Sequence, residues 1–97
     1  MNIYLLEQDW NNDYDTYDSV VVAAENEEEA RNIYPDDFVT HITDGKWMGT
    51  YTQGGEYVYT SNGWVRYSEI GRLKVTLIGT ADSKINKGVI LASFNAG

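Results

Sequence analysis

The chain has 97 residues, a net charge of −8, 42% hydrophobic and 13% aromatic side chains. That length gives one domain with a modest core, and the composition is that of a compact fold rather than a disordered chain. Cysteine is absent, which excludes disulfides, thiolate nucleophiles and cysteine metal sites, and no apolar stretch approaches the roughly 20 residues of a membrane span.

A first strand is predicted over residues 2–8, with Ile3 and Leu5 facing one way and Tyr4 and Leu6 the other. The polar stretch 10–18 opens on the turn formers Asn11, Asn12 and Asp13. Residues 19–24, centred on Val20, Val21 and Val22, read as a buried second strand. Asn26 then caps a helix, with Glu29 placed for a capping box and Glu27 and Glu28 at the positive end of the helix dipole. Ala30, Ile33 and Tyr34 share one face, and Pro35 stops the helix after two to three turns.

Residues 38–43 read as a further strand ended by Asp44-Gly45. Over 46–67, Trp47, Tyr51, Tyr57, Tyr59, Trp64 and Tyr67 alternate with Thr, Val and Gly, which predicts a small aromatic meander. Gly54-Gly55 and Asn62-Gly63 separate its runs, and Asn62-Gly63 is a strong two-residue hairpin signal. Strands follow over 73–80, with Val75, Leu77 and Gly79 on one face, and over 88–94, joined by a polar turn at 82–87. The order implies a single α+β domain over 1–97, a mostly antiparallel sheet with one short helix packed on a face.

The charges are unevenly spread. Twelve of the fifteen acidic residues fall in the first 44 positions against a single Arg31, so that half carries −11 and the remainder +3. This balance opposes direct binding to nucleic acid or an anionic membrane and favours a partner with a basic surface. Some acids have structural roles, Glu27, Glu28 and Glu29 at the helix start and aspartates in turns. The loop from Trp10 to Asp18 has no such full explanation: Asp13, Asp15 and Asp18 interleave there with Trp10, Tyr14 and Tyr17. Together with Glu27, Glu28, Asp36 and Asp37, these residues form the candidate protein-binding surface, with the aromatics as anchors.

Asp13, Asp15 and Asp18 also alternate as oxygen ligands for a hard cation would. Thr16 stands where a calcium loop needs Gly, and Val22 where it needs Glu, so no metal or other cofactor is expected. Catalysis is not expected either. His41 is the only histidine, the serines lie outside any nucleophile-elbow pattern, and the glycines lack phosphate-loop spacing. Carboxylate pairs are abundant, yet 97 residues leave little room for a deep sugar cleft. Two alternatives stand beside a protein-binding surface. One is a nucleotide site built from Trp64, Arg66, Arg72 and Lys74, where aromatic faces and cations accompany one another. The other is a structural component that forms a homodimer through exposed sheet edges.

The stretch Ile3-Tyr4-Leu5-Leu6-Glu7-Gln8, the run from Tyr14 through Ala30-Arg31 with Pro35, and the terminal Val75–Gly79 and Gly88–Gly97 segments resemble a group of small bacteriophage and prophage proteins. The resemblance covers roughly the first 35 and last 25 residues and leaves the aromatic middle unmatched. It implies an accessory phage product in the host cytoplasm, and it carries over no functional residues. Proteins of that kind often act on CRISPR, restriction or nucleotide-signalling defences by binding alone, some as acidic mimics of DNA. The expectation is therefore a non-enzymatic inhibitor of a host defence or nucleic-acid-handling protein.

Overall fold

A computed structural model describes residues 1–9, 14–60 and 63–95. Among these, seven strands form two antiparallel sheets, and the only helices are two short ones. The larger sheet has the order β6-β1-β2-β7, built from β1 (Asn2–Glu7), β2 (Thr16–Ala24), β6 (Lys74–Thr80) and β7 (Gly88–Asn95). The smaller is a meander of β3 (His41–Thr43), β4 (Lys46–Thr50) and β5 (Glu56–Val58). This is the expected α+β domain, with two sheets in place of one.

The most apolar strands take the centre of the larger sheet. Tyr4 pairs with Val22 and Leu6 with Val20, so alternation sends these four and Ala24 to one face. That face is covered by Ala30 and Tyr34, by Trp47 of β4, and by Trp64, Val65 and Leu73, which together make the core. Strand β6 sits at an edge beyond this cover. Val75 still packs against the core, but Leu77, which alternation puts on the same face of the strand, is exposed. Strands β6 and β7 occupy opposite edges, so residues 81–87 cross the end of the sheet instead of turning a hairpin. The Ala81 N–H donates to the Met1 carbonyl at 2.8 Å and pins the start of that crossing.

Helix α1 (Glu27–Arg31) has five residues, shorter than the two to three turns expected. Its start follows the sequence signal: the Glu29 N–H donates to Asn26 Oδ1 at 2.8 Å. The Glu29 carboxylate reaches back to the Glu25 N–H at 3.1 Å, one residue beyond the usual capping-box partner. Its end is set by Asn32, whose side-chain amide donates to the Glu28 carbonyl at 2.8 Å. That carbonyl would otherwise take the next helical N–H. The chain leaves the helix before Pro35, and Tyr34 drops into the core.

Local turn chemistry also shortens the next strand. The Phe38 N–H donates to Asp36 Oδ1 at 2.9 Å, an Asx turn that holds this segment out of extended geometry, so β3 begins only at His41. The two-residue hairpin turn is Asp44-Gly45, with φ of 52° and 69°, which links the Thr43–Lys46 pair. The hairpin expected at Asn62-Gly63 involves Asn62, which lies outside the described residues. Gly63 is buried, and its carbonyl accepts the Tyr17 N–H at 2.7 Å. In the meander Gly49 pairs with Tyr57, whose ring lies over it so closely that an added Cβ would overlap the ring.

A 3-10 helix, Tyr67–Arg72, closes the core beside β4 where sequence patterning suggested only strand and loop. Arg31 ties it to α1: its Nη1 donates to the carbonyls of Ile70 at 2.7 Å and Leu73 at 2.9 Å. The one cation of the acidic half is thus part of the framework. Among the described residues no helix is long and apolar enough to cross a membrane.

Candidate functional site

The fold gathers aromatic and acidic side chains from four separate segments at one end of the larger sheet. Tyr17 of β2 meets Phe94 of β7 edge to face, with ring centres 4.9 Å apart. In the loop after α1, Phe38 stacks on Tyr59 with ring centres 6.0 Å apart and planes 8° from parallel. Asp36 links the two pairs. It accepts from the Phe38 N–H through Oδ1 and from the Tyr59 hydroxyl through Oδ2 at 3.5 Å, and its charge is felt by Tyr17. Tyr14 and Phe38 are 74% and 63% exposed, so two rings stand largely in solvent beside the exposed Asp15, Asp18 and Asp37.

The electrostatics of this end follow from partial burial among like charges. Burial pushes the Tyr17 phenol above its ordinary range, and the carboxylates of Asp36 and Asp37, with Tyr59, add to the shift. Asp36 is also raised, first by burial and to a lesser degree by Asp37, against the lowering effect of its backbone and Tyr59 hydrogen bonds. These groups are crowded with negative charge that a cation from outside would relieve. Asp15 holds φ of 62°, and its N–H donates to the Asn95 carbonyl at 2.5 Å, which fixes the start of β2 against the end of β7.

Not all of the candidate surface assembles here. Trp10 and Asp13 lie outside the described residues. Glu27 and Glu28 are exposed at the start of α1, beyond the far end of β2. The nine residues of β2, a rise of roughly 26 Å, run from the Tyr14–Asp18 end to the end from which α1 departs. Glu27 is further engaged with Arg31 at 3.8 Å. The acidic half therefore divides into one aromatic-bearing surface (Tyr14, Asp15, Tyr17, Asp18, Asp36, Asp37) and a separate helix cap. Sequence reasoning missed Phe38, Tyr59 and Phe94 as members of that surface. Phe38 carried a signal, since it directly follows Asp36-Asp37; Tyr59 and Phe94 join only through tertiary packing.

The nucleotide site expected from Trp64, Arg66, Arg72 and Lys74 is corrected. Trp64 is 2% exposed, a core residue whose ring no ligand can reach. Arg72 and Lys74 flank a shallow hollow of about 260 Å³ together with Glu7, Gln8 and Asp9, and Arg72 lies 3.8 Å from Glu69. Arg66 stands apart from them. It lines a larger cleft of about 500 Å³ between the meander and the 3-10 helix, with Lys46, Trp47, Tyr59, Thr60, Tyr67 and Ser68. The four residues are separated by the 3-10 helix: Trp64 and Arg66 precede it in irregular chain, Arg72 ends it, and Lys74 opens β6 beyond it.

His41 pairs with Glu56, Nε2 to Oε2 at 2.5 Å, and its Nδ1 meets the Thr40 hydroxyl at 2.8 Å. That pair bridges the meander on an exposed face, and the Thr40 hydroxyl is in turn shared with Thr50 at 2.7 Å. Nor do three His, Asp or Glu side chains converge on a metal-sized site among those residues. The chain matches no protein-family model, no curated protein and no solved structure.

Proposed function

We propose that this protein is a phage-encoded, non-enzymatic inhibitor that acts in the host cytoplasm by binding and blocking a host defence or nucleic-acid-handling protein. The observation that carries the reading is the exposed aromatic and acidic surface of Tyr14, Asp15, Tyr17, Asp18, Asp36, Asp37 and Phe38, on a chain of net charge −8. Rings standing in solvent beside carboxylates that, among the described residues, have no cation within 4.0 Å suit a partner that is basic and supplies apolar pockets. Buried aromatic anchors dominate affinity at such interfaces, and complementary charge speeds encounter and excludes wrong partners. A surface that binds DNA phosphates meets both needs, since its lysines and arginines are already arranged for negative charge. The likeness of the two chain ends to small phage proteins supports the phage setting.

The test is capture from host lysate by the wild-type protein and by a D15N/D18N/D37N/F38A variant, matched for fold by circular dichroism. The expected result is a basic, DNA-binding protein retained by the wild type and lost with the variant. Equal retention by both proteins at low salt would refute the assignment of this surface.

A further inference from the structure

We propose that the cleft between the meander and the 3-10 helix binds a free mononucleotide, a planar ring carrying a phosphate. This is independent of the acidic surface, with which it shares only Tyr59.

The lining is unusual for this chain. Among the described residues no acidic side chain lines the cleft, whereas Lys46 and Arg66 both do. Both cations are exposed, and among the described residues neither lies within 4.0 Å of a carboxylate. Of the other cations, Arg31 is engaged with Glu27 and two carbonyls, Arg72 with Glu69, and Lys74 shares a hollow with Glu7 and Asp9. Lys84 and Lys87 are exposed on the 81–87 crossing, away from any cleft lined by aromatics. Two uncompensated cations on one acid-free cleft, in a protein of charge −8, mark a place where an anion is attracted locally.

The aromatic lining a ligand can meet is that of the half-buried Tyr59 and Tyr67; Trp47, 5% exposed, lies in the core behind them and holds them in place. The Trp47 indole N–H donates to the Val65 carbonyl at 3.0 Å, and the Tyr67 hydroxyl donates to Asn32 Oδ1 at 2.6 Å. The Trp47 and Tyr67 rings pack edge to face at 5.1 Å, and the Tyr59 N–H donates to the Trp47 carbonyl at 2.8 Å. Side chains held this way lose little freedom when a ligand arrives. The volume of about 500 Å³ falls in the ordinary small-ligand range of roughly 300–1,000 Å³.

These features select the ligand class. Aromatic side chains favour a flat ring, and the hydroxyls of Thr60 and Ser68 offer hydrogen bonds to its polar edge or sugar. A guanidinium and an ammonium together suit a phosphate monoester, which carries about −1.5 to −2 charge at neutral pH. A long nucleic acid is excluded by the overall −8, which repels a polyanion beyond the cleft.

The experiment is isothermal titration calorimetry of the full chain with AMP, GMP, CMP and UMP, each against adenosine and inorganic phosphate. The same series is run on the K46Q/R66Q variant, whose exposed substitutions leave the core intact, with circular dichroism as the check on folding. At least one monophosphate is expected to bind, with adenosine and phosphate each about tenfold weaker or worse. The double variant is expected to weaken that binding about tenfold or more. No monophosphate binding at millimolar concentration, binding by inorganic phosphate as tight as by any nucleotide, or unchanged affinity in a folded K46Q/R66Q variant would each overturn the proposal.

Discussion

Replacing Arg31 by Met should cost this small protein a large part of its stability. The Arg31 side chain is 21% exposed, and it donates at 2.7 and 2.9 Å to two backbone carbonyls at the end of the 3-10 helix. A hydrogen bond to a charged group contributes roughly 1.5–3 kcal/mol, and partial solvation of this side chain argues for the lower end or below. Its contact with Glu27 is on the surface and contributes about 0–1 kcal/mol at most. Met keeps much of the aliphatic packing, so the expected loss is about 2–3 kcal/mol. For a domain of this length that corresponds to roughly 10–20 °C in Tm, at about 4–8 °C per kcal/mol. Urea unfolding followed by tryptophan fluorescence reads the change as a lower midpoint at unchanged slope. R31K should recover no more than half, because the lysine ammonium ends one bond short of the Nη1 that serves both carbonyls and is more strongly hydrated. A loss below about 1 kcal/mol, or full rescue by Lys, would refute the role of Arg31 as the tie between α1 and the 3-10 helix.

Three further outcomes follow from particular contacts. G49A should destabilise by about 1–3 kcal/mol, because the added Cβ overlaps the Tyr57 ring, and G49A/Y57A should recover part of that loss; thermal unfolding of both variants checks it. N26A should cost about 1 kcal/mol by removing the acceptor for the Glu29 N–H, measured in the same way. The two raised groups set the pH response. Since the folded Tyr17 holds its proton more tightly than the unfolded chain does, its contribution is complete at neutral pH and is lost as pH rises through the alkaline range; Y17F should remove that part of the alkaline decline. Asp36 is raised in the same sense, so its contribution is present in acid and is lost as pH rises through the folded-state titration of this carboxyl. D36N, which keeps an acceptor oxygen, should therefore flatten the acid limb of the stability curve measured by denaturant titration.

Much of the framework was legible because it rests on local rules. The apolar runs of residues 3–6 and 20–22 marked the first two strands, though not their pairing, and Asn26 with Glu29 marked the helix start. Other features depend on partners that a linear reading cannot supply. The helix ends early because the Asn32 side chain takes a carbonyl, and the 3-10 helix is held by Arg31 from 39 residues away. Asp44-Gly45, read only as the end of a strand, makes a two-residue hairpin turn because β3 and β4 pair across it. Of the candidate surface, Tyr14, Asp15, Tyr17, Asp18, Asp36 and Asp37 come together because β2 and the loop after α1 meet at one end. Trp64 looked like a stacking platform but fills the core, since the largest aromatic in an apolar run is the best filler of a small interior. Lys46 drew no notice in the sequence because its partner in the cleft, Arg66, is brought to it only by the fold.

The central claim is that the aromatic and acidic surface occupies a basic, DNA-binding site on a host protein. It is tested most directly by competition: the captured partner is titrated with a labelled DNA duplex in the presence of wild-type protein or the D15N/D18N/D37N/F38A variant, across a range of salt. Wild-type protein should displace the DNA, with affinity that falls steeply as salt rises, and the variant should displace it at least tenfold less well with a flatter salt dependence. A ternary complex of partner, DNA and wild-type protein, or displacement by the variant equal to that of the wild type, would contradict it.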